Sequence, residues 1–143
     1  MGWRFNPFTS NFDFVDSSTS IVDSATKLKI IRIASEAILS QDVLRAFSPT
    51  HCALATGDSS VDQAIVLGIA DNDAAIGENV DIILLGVVTS TDFSIFTLNA
   101  PLFLDIDGGI TDTKRTSGYH AVIGDSLGGN DIMFRPEKPI KIS

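Results

Sequence analysis

The sequence predicts an all-β domain, a small β-sandwich or barrel with hairpin turns, carrying an extended N-terminal arm and an extended C-terminal tail. Three observations lead there. From Lys27 onward the chain consists of short apolar runs of strand length rich in Ile, Val, Leu and Phe. Several of these runs alternate with polar residues, and Gly/Asn/Asp clusters of hairpin type separate them.

The elements follow in order. Residues 1–24 stand apart as an arm and hinge: Trp3, Phe5, Phe8, Phe12 and Phe14 crowd the segment, and Ser17-Ser-Thr-Ser20 with Asp23-Ser24 makes a polar break of poor helix and strand formers. Residues 25–143 are expected to form one β-rich domain. Its strand-like runs are Leu28–Ile33, Val43–Phe47, Cys52–Ala55, Ile65–Ile69, Val80–Val88, Leu102–Leu104, Tyr119–Ile123 and Ile132–Phe134. Lys27, Lys29 and Arg32 interleave with apolar residues in the first, so one sheet face there should meet water. Runs apolar on both parities should be central.

Turns are expected at Thr56-Gly57-Asp58, Asp71-Asn72-Asp73, Gly77-Glu78-Asn79, Asp107-Gly108-Gly109 and Gly128-Gly129-Asn130. Two segments read differently. Glu36–Phe47 has apolar residues at 38, 39, 43, 44 and 47 in helical spacing, and Ser59–Ile65 suits a short helix capped by Asp58 or Ser59. Pro136 and Pro139 confine the C-terminal tail to an edge or a non-sheet segment.

Composition narrows the function classes. A chain of 143 residues with 44% apolar content can bury a core of its own. The net charge of −8, with basic residues scattered singly, opposes binding to a phosphate backbone, so no nucleic acid is expected as partner. The N-terminal segment lacks the basic and continuously apolar regions of a targeting peptide, Asp13 and Asp16 interrupting it. No stretch reaches the roughly 18 uninterrupted apolar residues of a membrane span, so no membrane is expected either. Cys52 has no second thiol for a disulfide or a metal site, and its Ala-Leu surroundings suit a core thiol.

Candidate chemistry is sparse. Gly124-Asp125-Ser126-Leu127-Gly128 matches the nucleophile-elbow pattern, but a strand-like run follows where a helix should support an oxyanion hole, so Ser126 is not expected to be catalytic. His51 and His120 lie in or beside strand-like runs without an adjacent nucleophile or ligand cluster. Asp71/Asp73 and Asp105/Asp107 resemble fragments of calcium loops but lack the remaining ligands, and solvated turns account for them. Neither an enzyme activity, a cofactor nor a metal is expected. Trp3 or Tyr119 stacking on a host-surface carbohydrate is an alternative, weakened because the body otherwise offers Phe rather than Trp or Tyr.

The arm carries the functional expectation. Exposed aromatics cost hydration free energy and free termini fray, so a terminus of this composition makes physical sense when another surface receives it. Pro7 fixes a turn and pushes Asn6 toward extended geometry. The candidate partner-binding residues are therefore Trp3, Phe5, Asn6, Pro7, Phe8, Phe12 and Phe14. The competing expectation is that these rings fold back over their own domain.

Asn6-Pro7-Phe8-Thr9 followed by Phe12-Asp13-Phe14-Val15 resembles the short leader of tail-fibre-associated and other virion proteins of tailed bacteriophages, with Ser10 in place of the usual glycine. Val66-Leu-Gly-Ile-Ala70, Ile76-Gly-Glu-Asn-Val80, Leu85-Gly-Val-Val88, Ala100-Pro-Leu-Phe-Leu104, Gly108-Gly-Ile-Thr111 and Val122-Ile-Gly124 resemble small phage virion β-domains, the decoration-protein type included. The resemblance implies a non-enzymatic homotrimer, assembled in the host cytoplasm into the virion. Its partners would be other virion proteins: a tail or baseplate component if it is an appendage or fibre adaptor, the major capsid protein if it is a capsid decoration (cement) protein. The C-terminal Arg135–Ile142 resembles the extended tail that closes such domains and could also cross to another subunit.

Overall fold

A computed structural model describes residues 27–58 and 60–142. Its strands are β1 (Lys27–Ala34), β2 (Val43–Ala46), β3 (His51–Leu54), β4 (Gly68–Ala70), β5 (Asn79–Thr89), β6 (Pro101–Leu104), β7 (Ile110–Thr111), β8 (Gly118–His120), β9 (Val122–Gly128), β10 (Asp131–Phe134) and β11 (Ile140–Ile142). A four-residue helix, α1 (Val61–Ala64), lies between β3 and β4, and a 3-10 turn (Thr91–Ile95) follows β5. The fold is all-β, as the short apolar runs predicted.

The architecture turns on β5. Ile82 pairs with Ile30 of β1 and Ala70 of β4, while Gly86 pairs with Lys27 of β1 and Phe134 of β10. One edge of β5 is therefore taken by β1, and the other by β4 and then β10. β1 also meets β3 in parallel, and β3, β2 and β4 are joined in antiparallel pairs, so β1-β3-β2-β4-β5 closes into a five-stranded ring. Closure removes the free edges that an open sheet must protect. Beyond the ring the same sheet continues through β10, β9, β6 and β7.

Three strands divide two cores. Leu44, Ala70, Val80 and Ile82 point into the cluster within the ring, with Ala34, Ile38 and Cys52. Their neighbours Val43, Ile69 and Ile83 point to the opposite side, into a larger cluster with Phe93, Leu102, Ile123, Ile132 and Phe134. The register accounts for this, because Val43 faces Ile69, Ile69 faces Ile83, and Ala70 faces Ile82. Successive side chains of a strand point to opposite faces, so a strand buried on both sides must be apolar at both parities. Each fully buried Ile, Leu or Phe contributes about 1.5–3 kcal/mol relative to exposure. Cys52 is a buried free thiol in the ring cluster, and burial raises its pKa.

Glu36–Phe47 is not helical. Ile38 instead makes an isolated bridge with Ala74, Gln41 takes a left-handed φ of 72°, and Val43–Ala46 forms β2. The apolar residues at 38, 39, 43, 44 and 47 have helical spacing by coincidence: Val43 and Leu44 enter two different cores, which one helix face could not do. The short helix expected near Ser59–Ile65 forms over Val61–Ala64, but its N-cap position is Ser60 rather than Asp58 or Ser59, and Ser60 makes no side-chain capping hydrogen bond. After Phe134 the chain passes both prolines without regular secondary structure and then pairs within the same chain, Ile140–Ile142 running antiparallel to Gly118–His120.

Candidate interaction surface

Trp3, Phe5, Asn6, Pro7, Phe8, Phe12 and Phe14 lie outside the described residues, as does the Ser17–Ser24 hinge. The arm's attachment is described: the chain joins the body at Lys27, opposite Gly86, near the C-terminal end of β5.

That end of the body exposes apolar side chains. Leu28 and Leu85 are direct cross-strand partners and are 58% and 50% exposed, and Ile31 on the same strand is 64% exposed opposite Asp81. A register shift between Leu28 and Lys29 keeps this face irregular. Lys29 Nζ lies 2.7 Å from Asp71 Oδ2, and this hydrogen bond raises the lysine pKa above its ordinary value. Lys29 and Asp71 thus form a charged border beside the Leu28–Leu85 pair. Sheet faces of this composition suit contact with another surface better than contact with water.

A second apolar feature is concave. The 3-10 turn begins where Ser90 Oγ accepts a hydrogen bond from Asp92 N, and it buries Phe93 and Phe96 while leaving Ile95 exposed. Together with Leu39, Asp42 and Ile110 these residues line a groove of about 360 Å³. Asp42 Oδ2 accepts a hydrogen bond from Leu39 N, while burial, followed by Asp73 and Glu36, raises its pKa. Sequence reading did not single out this groove. Its only signal was Phe93 and Phe96 three residues apart, after a run that had already ended.

The other sequence candidates occupy structural roles. Ser126 is fully buried in β9, and its Oγ accepts a hydrogen bond from Gly128 N at 3.1 Å, bracing the turn into β10. His51 Nδ1 lies 2.8 Å from Thr50 Oγ1 and 3.3 Å from Ser48 Oγ, within the β2–β3 hairpin. His120 lies against Phe103, and burial lowers its pKa below the ordinary imidazole value. Tyr119 is partly buried against the larger core, and its backbone N–H donates to Gly57 O.

The acidic turns are tied to the protein. Asp71 pairs with Lys29, and Asp73 Oδ1 accepts from Ser40 N. Arg115, whose side chain is 14% exposed, reaches Asp58 at 3.0 Å and Asp105 at 3.5 Å. It clamps the loop before β8 onto two turns, a role without a local sequence signature. Among the described residues no group of three or more His, Cys, Asp or Glu is arranged to hold a metal ion. Among them no helix is long and apolar enough to cross a membrane.

No protein-family model matches the chain, and no curated protein matches it. Among solved structures the chain is similar to the N base of the head fiber gp8.5 of bacteriophage phi29. Identity is 14%, the match covers 82% of this chain and 98% of that chain, and the TM-score is 0.46.

Proposed function

We propose that this protein is a non-enzymatic structural component of a tailed-phage virion, docked through its aromatic N-terminal arm. The observation that carries the proposal is the segment Trp3–Asp16, with its rings and its Asn6-Pro7-Phe8-Thr9 leader, placed ahead of a Ser/Thr hinge. The body supports it by supplying a two-core all-β platform whose exposed Leu28–Leu85 face lies where the arm attaches. An extended aromatic segment gains affinity by inserting rings into a groove or by adding a strand to a neighbouring edge. In a homotrimer three arms act together, and tethering turns modest individual docking into durable attachment.

The leader favours a tail or baseplate appendage or fibre adaptor. A capsid decoration protein is the second reading, favoured by the decoration-like glycine and strand pattern of the body, Val66–Ala70 and Gly108–Thr111 in particular. In both the partners are virion proteins and the product is particle stability. Microscopy of particles carrying a labelled copy separates the two, because label at the tail supports the first and label over the shell supports the second. Label on neither, with the protein absent from purified particles, overturns both.

A further inference from the structure

The free subunit must accommodate the arm before any partner is present. Five aromatic rings on a tether cannot all face water without cost, and a concave apolar surface on the same chain would meet them at high effective concentration. We propose that the groove between Leu39, the Phe93–Phe96 turn and Ile110 is a docking surface for Trp3-Arg4-Phe5 of the same chain, which holds the arm until a virion partner displaces it.

Three observations select this groove and this occupant. Shape comes first: about 360 Å³ accommodates an indole together with a phenyl ring, over a floor of buried Phe93 and Phe96. Its rim residues Leu39 and Ile95 are 65% and 76% exposed, so docked rings would cover apolar surface that otherwise meets water.

Charge is the second. Asp42 and Asp92 both line the groove, and Arg4 is the one basic residue preceding Lys27, set between two aromatics. A guanidinium beside Asp42 would offset the repulsion of Asp73 and Glu36 that the carboxylate feels. At the exposed Leu28–Leu85 face Asp71 is already paired with Lys29, and Lys27 adds a further cation, so a guanidinium finds less there.

Reach is the third. β1 runs antiparallel to β5, so the chain preceding Lys27 leaves from beside Gly86, toward the end of β5 from which the groove-lining turn descends. Gly86 to Ser90 spans about 13 Å of strand. A random coil of the length separating Phe5 from Lys27 would have a root-mean-square span of about 25 Å, which exceeds the distance to the groove and corresponds to an effective concentration on the order of millimolar. Docking of the arm in the free subunit stands apart from the virion assignment, and only its displacement by a partner rests on that reading.

Trp3 is the sole tryptophan, so its fluorescence reports the contact in the full-length protein without particles. The expected result is a blue-shifted emission and several-fold weaker acrylamide quenching than in the urea-unfolded chain. Ile95→Asp and Leu39→Asp, both at exposed positions, should each abolish the protection, while Leu28→Asp should leave it intact. Trp3 as accessible in the folded wild type as in the unfolded chain would overturn the proposal, and so would protection insensitive to both groove variants. Exchange between subunits is tested by co-expressing the Ile95→Asp chain with a Trp3→Phe chain whose groove is intact. Trp3 remaining accessible supports docking within one chain, whereas restored protection assigns the groove to a neighbour's arm and overturns it.

Discussion

The imidazole of His120 lies 4.7 Å from the ring of Phe103, centroid to centroid, with the planes inclined at 44°. Burial, then the positive charge of Lys114, lowers the His120 pKa, with Glu137 opposing, and its Nδ1 has no hydrogen-bond partner among the described residues. The folded protein therefore binds this proton less readily than the unfolded chain. The stabilisation from the neutral ring is complete above the ordinary value of 6.5 and is lost as pH falls through the lowered folded value. Thermal melts should show Tm declining on acidification below about pH 6.5, with a shallower slope in His120→Gln. Equal slopes would contradict the assignment.

Asp42 has the opposite sign. Its pKa is raised chiefly by burial, so stability linked to its protonated form is complete below the ordinary 3.8 and lost as pH rises through the raised folded value. Asp42→Asn keeps an oxygen acceptor for Leu39 N and removes the charge. At neutral pH the variant should melt no lower than the wild type, and its advantage should shrink as pH falls toward about 4. A pH-independent difference would rule the linkage out.

Ile82 and Ile83 are adjacent, both fully buried, and belong to different cores. Truncating either to Ala should cost about 2–5 kcal/mol in denaturant unfolding. Methyl chemical shifts should separate the two variants. Ile82→Ala should chiefly disturb Leu44 and Val80, and Ile83→Ala should chiefly disturb Val43 and Ile69. Identical patterns of disturbance would mean that β5 does not divide two cores.

Gly124 sits in β9 at φ +154°, where an added Cβ would fall on the carbonyl oxygen of Met133 across the ladder. An unstrained glycine-to-alanine change stabilises by up to about 1 kcal/mol, whereas Gly124→Ala should destabilise by more than that, read as a lower urea midpoint, because backbone rather than a flexible side chain must move. An unchanged midpoint would contradict the close pairing of β9 with β10.

Much of the fold was legible before any coordinates, for identifiable reasons. Period-2 patterning and turn residues depend only on local chemistry, so the β9–β10 turn at Gly128-Gly129-Asn130 and the two-faced burial of central strands follow from the text of the chain, whereas the β2–β3 hairpin, whose connection lacks a Gly/Asn/Asp cluster, was not among the expected turns. Closure of β1 onto both β3 and β5 was not legible, since a parallel contact at Ile33 and Ala34 leaves no local mark. Gln41 and the Ile38–Ala74 bridge explain why helical spacing misled over Glu36–Phe47. The groove escaped notice because Leu39, Ile95 and Ile110 are far apart in sequence and converge only in the fold. Arg115 was invisible for the same reason, its partners Asp58 and Asp105 lying in separate turns.

The central claim is that residues 3–16 attach this protein to the virion while the β-body folds without them. The most direct test is deletion of residues 2–16, followed by circular dichroism, mass measurement of the free protein and its recovery in purified particles. The account predicts an unchanged β spectrum and an unchanged oligomer, with incorporation lost. A deleted protein that still enters particles at the wild-type level would contradict it.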